Sequence, residues 1–297
     1  MDNNITTDAE NKKKPKTFKS LIVTAIITFV GMLVVWSAII WLVQPMIFFY
    51  PWHDNASHER LLNDETFEEI IIDNGGQTLT GWFRANIDSE NGPLLILFGG
   101  NAQSASNTCA EFLDNGTYSY FEGYNFLMVD YPGYGLSEGD PSDTTMFEAA
   151  LSIYDYACEM ENVDDKNIVI LGYSIGTGVA TYVASQRDVN GLILMAPYDR
   201  ALNLYNDTLN IFHGPIEFLA RYKFDSMSYA PDVQVMPLII TSKGDEVISY
   251  ELSLNLAKHF HVNPDVLLLD YVEHNYYLRQ NTTLSSIQRY LQERNLS

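Results

Sequence analysis

The stretch Asn167-Ile-Val-Ile-Leu-Gly-Tyr-Ser-Ile-Gly-Thr-Gly-Val-Ala180 decides how this chain is read. Its first five residues form an apolar, β-branched run typical of a buried strand, and the small residues from Thr177 onward open a helix. Between them, Gly172-Tyr173-Ser174-Ile175-Gly176 leaves room only for a tight strand-to-helix turn. A serine at the centre of such a turn sits on strained backbone. A side chain two residues to either side would strike neighbouring backbone, so both flanking positions must be glycine. The strain lifts the Ser174 hydroxyl clear of the sheet, and the helix beginning beside it aims the backbone N–H of Ile175 at any oxyanion formed there. The expectation is a nucleophilic serine.

The same residues also spell Gly172-x-x-x-Gly176-x-Gly178, similar to the dinucleotide turn of short-chain dehydrogenases. That turn follows the first strand of its domain, whereas four candidate strands precede this one, and the chain holds no Tyr-x-x-x-Lys pair. Candidate strands lie at Glu68–Ile72, Thr78–Phe83, Leu94–Phe98, Asn125–Val129, Ile168–Gly172, Leu192–Ala196, Pro237–Thr241 and Val266–Leu269. The first two alternate in polarity and join through Asn74-Gly75-Gly76, which predicts an antiparallel hairpin. Several later ones are apolar throughout, Val266–Leu269 included, as in strands covered on both faces by crossover helices. The fold class is therefore α/β: an eight-stranded, mostly parallel sheet with an antiparallel start. Between Arg200 and Pro231 the strand-helix rhythm lapses into an aromatic segment too long for an ordinary connection, and it reads as a small lid.

The chain has 297 residues and a formal net charge of −21, a balance that excludes nucleic acid as a partner. Residues 1–20 hold five lysines against three acids, a net +2 that leaves −23 for the remainder. From Leu21 to Val43 there is no charged residue, and at about 1.5 Å per residue that run exceeds the roughly 30 Å of bilayer hydrocarbon. It is too long for the apolar core of a cleaved signal peptide and leaves through Gln44-Pro45-Met46, so we read residues 21–43 as an uncleaved transmembrane anchor. Residues 44–297 then form one domain. Lysines before the span and few cations after it put the N-terminus in the cytoplasm and the domain on the outer face. Trp41, Phe48, Phe49, Tyr50 and Trp52 flank the outer end, either in the headgroup layer or packed on the domain. Cys109 and Cys158 are too few for a disulfide framework and read as buried thiols.

A serine nucleophile needs a base and an orienting acid, which in this strand pattern follow it in the order Ser, acid, His. Of six histidines, His53 and His58 precede the sheet, His213 lies in the lid, and His259 and His261 close a helix before the last strand. His274 alone follows that strand directly. The acid belongs just past the preceding strand, which offers Asp245, with Glu246 beside it and Asp199 one strand earlier as the other candidates. The second oxyanion donor is expected from the loop Gly99-Gly100-Asn101-Ala102, from the N–H of Asn101 or else of Ala102. No H-E-x-x-H, EF-hand or Walker pattern occurs, so neither metal nor cofactor is expected.

Taken together, these residues resemble the α/β-hydrolase superfamily, specifically its single-pass, membrane-anchored serine hydrolases related to the depalmitoylating thioesterases. The match runs from about Ile47 to the C-terminus. It includes Phe49-Tyr50-Pro51, Gly100-Asn101-Ala102, the loop from Asp130 to Gly139 and Lys223-Phe-Asp-Ser226. The resemblance implies the α/β-hydrolase fold, a triad of Ser174, Asp245 and His274, and an ester, thioester or amide as substrate; an anchor that holds the site near a bilayer suits a small-molecule or lipid-like acyl substrate, and no obligate protein partner is inferred. Three departures are visible. Gly99 stands where relatives often have His, and Thr241-Ser242 where many have His-Gly. Glu273 stands where a glycine usually precedes the base, and a carboxylate that close favours imidazolium and raises the expected pKa of the base.

Overall fold

The structure, a computed structural model, describes residues 17–85, 91–210 and 212–295. Lys12, Lys13, Lys14 and Lys16, on which the expected orientation rests, lie outside them. Contacts divide the chain into two units, Met1–Val43 and Gln44–Ser297. In the first, the uncharged run folds as the bulk of helix α1 (Phe18–Phe48), which is long and apolar enough to cross a membrane. Two of its hydroxyls are satisfied within the helix: Thr24 donates to Ser20 O at 2.8 Å and Thr28 to Thr24 O at 2.9 Å. The helix continues past the expected end of the span, through Pro45 to Phe48.

The second unit is built on one eight-stranded sheet. Strand β1 (Glu68–Asn74) turns into β2 (Gln77–Arg84) through Gly75 and Gly76, whose φ of +65° and +90° belong to the two-residue turns that match strand twist. Then come β3 (Gly92–Phe98), β4 (Asn125–Val129), β5 (Val163–Tyr173), β6 (Gly191–Met195), β7 (Pro237–Ser242) and β8 (Asp265–Leu269). Their spatial order is β1-β2-β4-β3-β5-β6-β7-β8, with β2 antiparallel to both neighbours and every other pair parallel. This is the α/β-hydrolase fold, and its eight strands sit where the apolar runs predict, within a few residues at each end. The largest extension is at β5, which starts at Val163: Val163 pairs with Gly92, and the polar Asp164-Asp165-Lys166 lie in an irregularity between that pair and the pairing of Leu94 with Ile168.

The remaining helices are α2 (Asn55–Leu62), α3 (Ala105–Asp114), α4 (Asp143–Cys158), α5 (Ile175–Gln186), α6 (Ala201–Leu209), α7 (Ser226–Tyr229), α8 (Tyr250–Ala257) and α9 (Asn281–Asn295). Ser142 starts α4 with a capping box, its hydroxyl taking the N–H of Thr145 while the Thr145 hydroxyl takes its own N–H. Alternate residues of the central strands (Leu95, Leu97, Phe126, Met128, Val169, Leu171) share one buried cluster with Cys109 and Phe112 of α3 and Ile287 and Leu291 of α9. The intervening Leu94, Ile96, Ile168 and Ile170 are equally buried, as are Val179, Ala180 and Val183 of α5, a helix that packs on β5 and α4.

Two expectations need correcting. Strand β8 is not covered on both faces: it is the sheet edge, and Val266 and Leu268 each remain 37% exposed. Of the two thiols only Cys109 is fully buried, Cys158 being half-buried. The aromatic residues after the apolar run divide. Phe48 and Phe49 pack into the domain against Tyr205, Tyr222 and Phe224, while Tyr50 and Trp52 stay exposed. Because Phe126 is 1% exposed among Phe112, Tyr118 and Phe121, Phe126→Ala is expected to cost about 3–5 kcal/mol, read as a lower urea midpoint at unchanged slope.

Candidate active site

Strand β5 delivers the chain to Ser174 and α5 leaves from it, with the serine held at φ +54°, ψ −122°. L-residues rarely adopt that conformation, and packing holds it in place. A Cβ on Gly176 would lie 2.1 Å from Phe98 O, and one on Gly172 would lie 2.7 Å from Ala180 Cβ and from Gly176 O. The turn closes only because both are hydrogen. Ser174 N donates to Met195 O at 3.0 Å, and the Thr177 hydroxyl donates to Ser174 O at 2.6 Å. An N-cap serine ordinarily spends its hydroxyl on the first helical N–H groups. Here it makes no such bond, and Ser174 Oγ lies 2.9 Å from His274 Nε2.

His274 follows β8 after a short loop, buried to 7% exposure. Its Nδ1 lies 2.9 Å from Asp245 Oδ2, whose side chain is fully buried. Asp245 also accepts the N–H groups of Val247 at 2.9 Å and Ile248 at 2.8 Å, and the Tyr277 hydroxyl at 3.0 Å. The other acid candidates are engaged elsewhere. Asp199 accepts from Arg200 N, Asn203 and Asn255, tying α6 to α8, and Glu246 accepts the backbone N–H of His274 at 3.0 Å. Glu273 is exposed and makes no hydrogen bond to His274.

Two supporting residues, Tyr173 and Tyr277, escape the sequence reading, as does the bracing role of Glu246. Tyr173 donates to His274 O and its ring stacks on the imidazole, centroids 5.4 Å apart. Tyr277 braces Asp245, and Glu246 braces the backbone of His274. Tyr173 and Glu246 sit beside Ser174 and Asp245 in the chain; Tyr277 carries no local signal. Ser242 has a matching role: its Oγ accepts from Gly244 N at 3.0 Å and Val272 N at 2.8 Å, stitching the acid's loop to the base's loop.

The loop after β3 faces Ser174 from the other side. Gly100 N donates to Gln103 Oε1 at 2.6 Å, and Ala102 N donates to Asn101 Oδ1 at 3.1 Å, so the N–H of Ala102 is taken. Among the described residues, the backbone N–H groups of Asn101 and Ile175 have no acceptor. The Asn101 side chain holds the loop. Its Oδ1 accepts Tyr50 N at 2.9 Å and the Tyr134 hydroxyl at 2.7 Å, and its Nδ2 donates to Phe48 O at 2.8 Å. In the segment expected as a lid, α6 brings Leu204 and Tyr205 to a cavity that reaches Ser174. No cluster of metal-ligating side chains occurs among the described residues.

A family model for the α/β hydrolase fold matches residues 92–225. A Mycobacterium tuberculosis protein described as uncharacterized is 23% identical over 280 residues, covering 94% of this chain and 97% of its own length. An α/β hydrolase domain-containing protein 17C of Xenopus laevis is 27% identical over 161 residues, covering 54% of this chain and 49% of its own. Among solved structures, the Est1E protein of Butyrivibrio proteoclasticus, determined with ferulic acid bound, superposes with a TM-score of 0.63 at 19% identity over 77% of this chain and all of its own. A Pyrococcus furiosus esterase gives 0.64 at 17% identity over 84% and 97%. The family model covers less than half of the chain, and the two structural likenesses, both below 25% identity, show the α/β-hydrolase fold.

Two buried carboxylates near the site respond to pH with opposite sign. Burial raises Asp245, but the hydrogen bond and charge of His274 and the N–H groups of Ile248 and Val247 outweigh it and hold the acid below its ordinary value. Its contribution to stability is present above the unfolded value of about 4 and is lost as pH falls further. Asp130, which heads the loop to Gly139, is 5% exposed; burial pushes it up to about 7 although the N–H groups of Ala105 and Leu136 favour its charged form. Its contribution is complete below about pH 4 and is lost as pH rises through about 7. The stability difference between the native chain and Asp130→Asn, measured by denaturant unfolding, is therefore expected to fall steadily between those values. A difference that does not change with pH would show that this carboxyl does not titrate there.

Proposed function

We propose that this chain is a serine hydrolase that cleaves an acyl ester or thioester through a covalent acyl-enzyme. The single observation that carries the reading is the unbroken, buried line from Ser174 Oγ to His274 to Asp245, 2.9 Å at each step. His274 takes the proton from Ser174 as the oxygen attacks the acyl carbonyl carbon, and Asp245 holds the imidazole in the required tautomer and stabilises its charged form. The tetrahedral oxyanion is received by the backbone N–H groups of Ile175 and Asn101, each worth roughly a hundredfold or more in rate. His274 then returns the proton to the departing group, and the acyl-serine is released by water activated in the same way. Every proton is passed within the triad and both nucleophiles are oxygen, so no step calls for a metal or cofactor.

The kinship with single-pass, membrane-anchored serine hydrolases related to the depalmitoylating thioesterases is part of this proposal, with α1 as the anchor, the N-terminus cytoplasmic and the domain on the outer face. A lipid-like acyl substrate near a bilayer suits that arrangement, and neither nucleic acid nor an obligate protein partner enters it. Protease added outside intact cells is expected to degrade the domain; protection until the cells are opened would reverse the orientation.

The chemistry is tested with a fluorophosphonate probe, which is expected to label the native chain and not Ser174→Ala, while His274→Ala lowers kcat by roughly 10⁶-fold. A folded chain that does not label would be an inert binding module on a hydrolase scaffold. Asn101→Ala keeps the backbone N–H but frees the loop that carries it. It is expected to lower kcat by up to about a hundredfold with little change in KM.

A further inference from the structure

Two cavities open onto Ser174, and they differ in kind. One, of about 300 Å³, is walled by Ile47, Phe48, Leu204, Tyr205, Val247 and Ile248. The other, of about 360 Å³, is the more polar of the two: His274, Gln103, Asn107, Asn275 and the Glu111–Arg279 pair line it, with the apolar Phe112 and Leu278 among them. Reaction chemistry tells them apart. In acyl transfer the leaving group receives its proton from the base, so it must depart on the side where the base stands. Of the two, only the polar cavity is lined by His274. That cavity receives the leaving group, and the apolar one receives the acyl chain.

The polar cavity also describes its occupant. Its one cation and its one anion cancel: Arg279 Nη2 meets Glu111 Oε1 at 2.7 Å, with Nε at 3.2 Å from the same oxygen. The chain as a whole carries −21, a field that disfavours an anionic leaving group such as coenzyme A. Unspent hydrogen-bonding capacity is supplied by neutral amides. Among the described residues the side chains of Asn107 and Asn275 have no partner, and Gln103 uses only its Oε1, on Gly100 N. Amides both donate and accept, as hydroxyl groups do. The apolar cavity has room for roughly ten groups the size of a water molecule. Resting on the serine-hydrolase reading, we infer that the substrate is an ester joining an apolar acyl chain of short to medium length to a neutral, hydroxyl-rich alcohol of the glycerol or sugar class.

The test uses the full chain in detergent with paired esters of the same acyl group on glycerol, ethanol, choline and coenzyme A, across acyl chains of graded length. The expected result is a kcat/KM preference for the glycerol ester over the ethyl ester. Asn107→Leu or Asn275→Leu is expected to reduce that ratio by about five- to tenfold, the range of a lost neutral hydrogen bond. Leu204→Trp, which fills the apolar cavity, is expected to move the optimum to shorter acyl chains. Because the readout is a ratio, a variant that folds poorly lowers both rates without moving it, and the two Asn→Leu variants check each other. Equal turnover of glycerol and ethyl esters, or faster turnover of the choline or coenzyme A ester, would overturn the assignment of the polar cavity. An unmoved chain-length optimum in a Leu204→Trp variant that still turns over substrate would overturn that of the apolar one. If no ester is hydrolysed and the probe does not label Ser174, it is the underlying hydrolase reading that fails.

Discussion

A single conformational constraint organises this domain: Ser174 held at φ +54° where β5 becomes α5. The backbone strain is of the order of 1–3 kcal/mol, and it persists because the surroundings leave no relaxed alternative. Phe98 O and Gly99 O crowd the α-carbon of Gly176, so the end of β3 and the start of α5 meet with no side chain between them. That contact fixes the distance between the two N–H groups facing Ser174, on Ile175 and in the loop after Phe98. It also turns the serine hydroxyl away from its usual capping role and toward His274.

The groups that answer Ser174 lie on loops, and loops need external fixing. Asp245 is bound by two backbone N–H groups of its own loop and by Tyr277 from the turn after His274. Ser242 binds N–H groups from both loops, and the carboxylate of Glu246 reaches the N–H of His274. These bonds are charge-assisted or buried, the kinds that contribute most and are costly to leave half-made. Ser242 therefore supplies a tie that a glycine at that position could not, having no hydroxyl to join the two loops.

The segment from Gln44 to Tyr50 performs a similar role on the opposite side. Gln44, 3% exposed, donates to Leu219 O and accepts Arg221 N, while Phe48 and Phe49 stack among Tyr205, Tyr222 and Phe224. Phe48 O and Tyr50 N are then bound by the side chain of Asn101. The residues that follow the apolar run are thus shared between the α6 region and the loop carrying the Asn101 N–H. They belong to the domain's interior and are more than a tether to it.

Much of this was legible in the chain itself wherever the physics is local. The glycines flanking Ser174 obey a steric rule that acts within five residues, and the apolar strand runs follow a period-2 burial pattern, so both could be read before any fold was known. The hairpin at Gly75-Gly76 and the chain order of Ser174, Asp245 and His274 belong with them. Edge exposure could not be read, because Val266–Leu269 is as apolar as its neighbours and only the strand order places it at the rim. Nor could the bracing by Tyr277 and Ser242, or the occupation of Ala102 N by Asn101, which narrows two candidate donors to one. The bracing depends on side chains meeting across some thirty residues of sequence, and the Ala102 bond on the rotamer that Tyr50, Phe48 and Tyr134 impose on Asn101; a one-dimensional pattern records neither. The sequence by itself determined the strained turn and the layered sheet, since steric exclusion and burial periodicity act along the chain. Only the tertiary structure decided which groups surround Ser174 and divided the space around it into an apolar and a polar half, since those follow from how separate loops converge on one edge of the sheet.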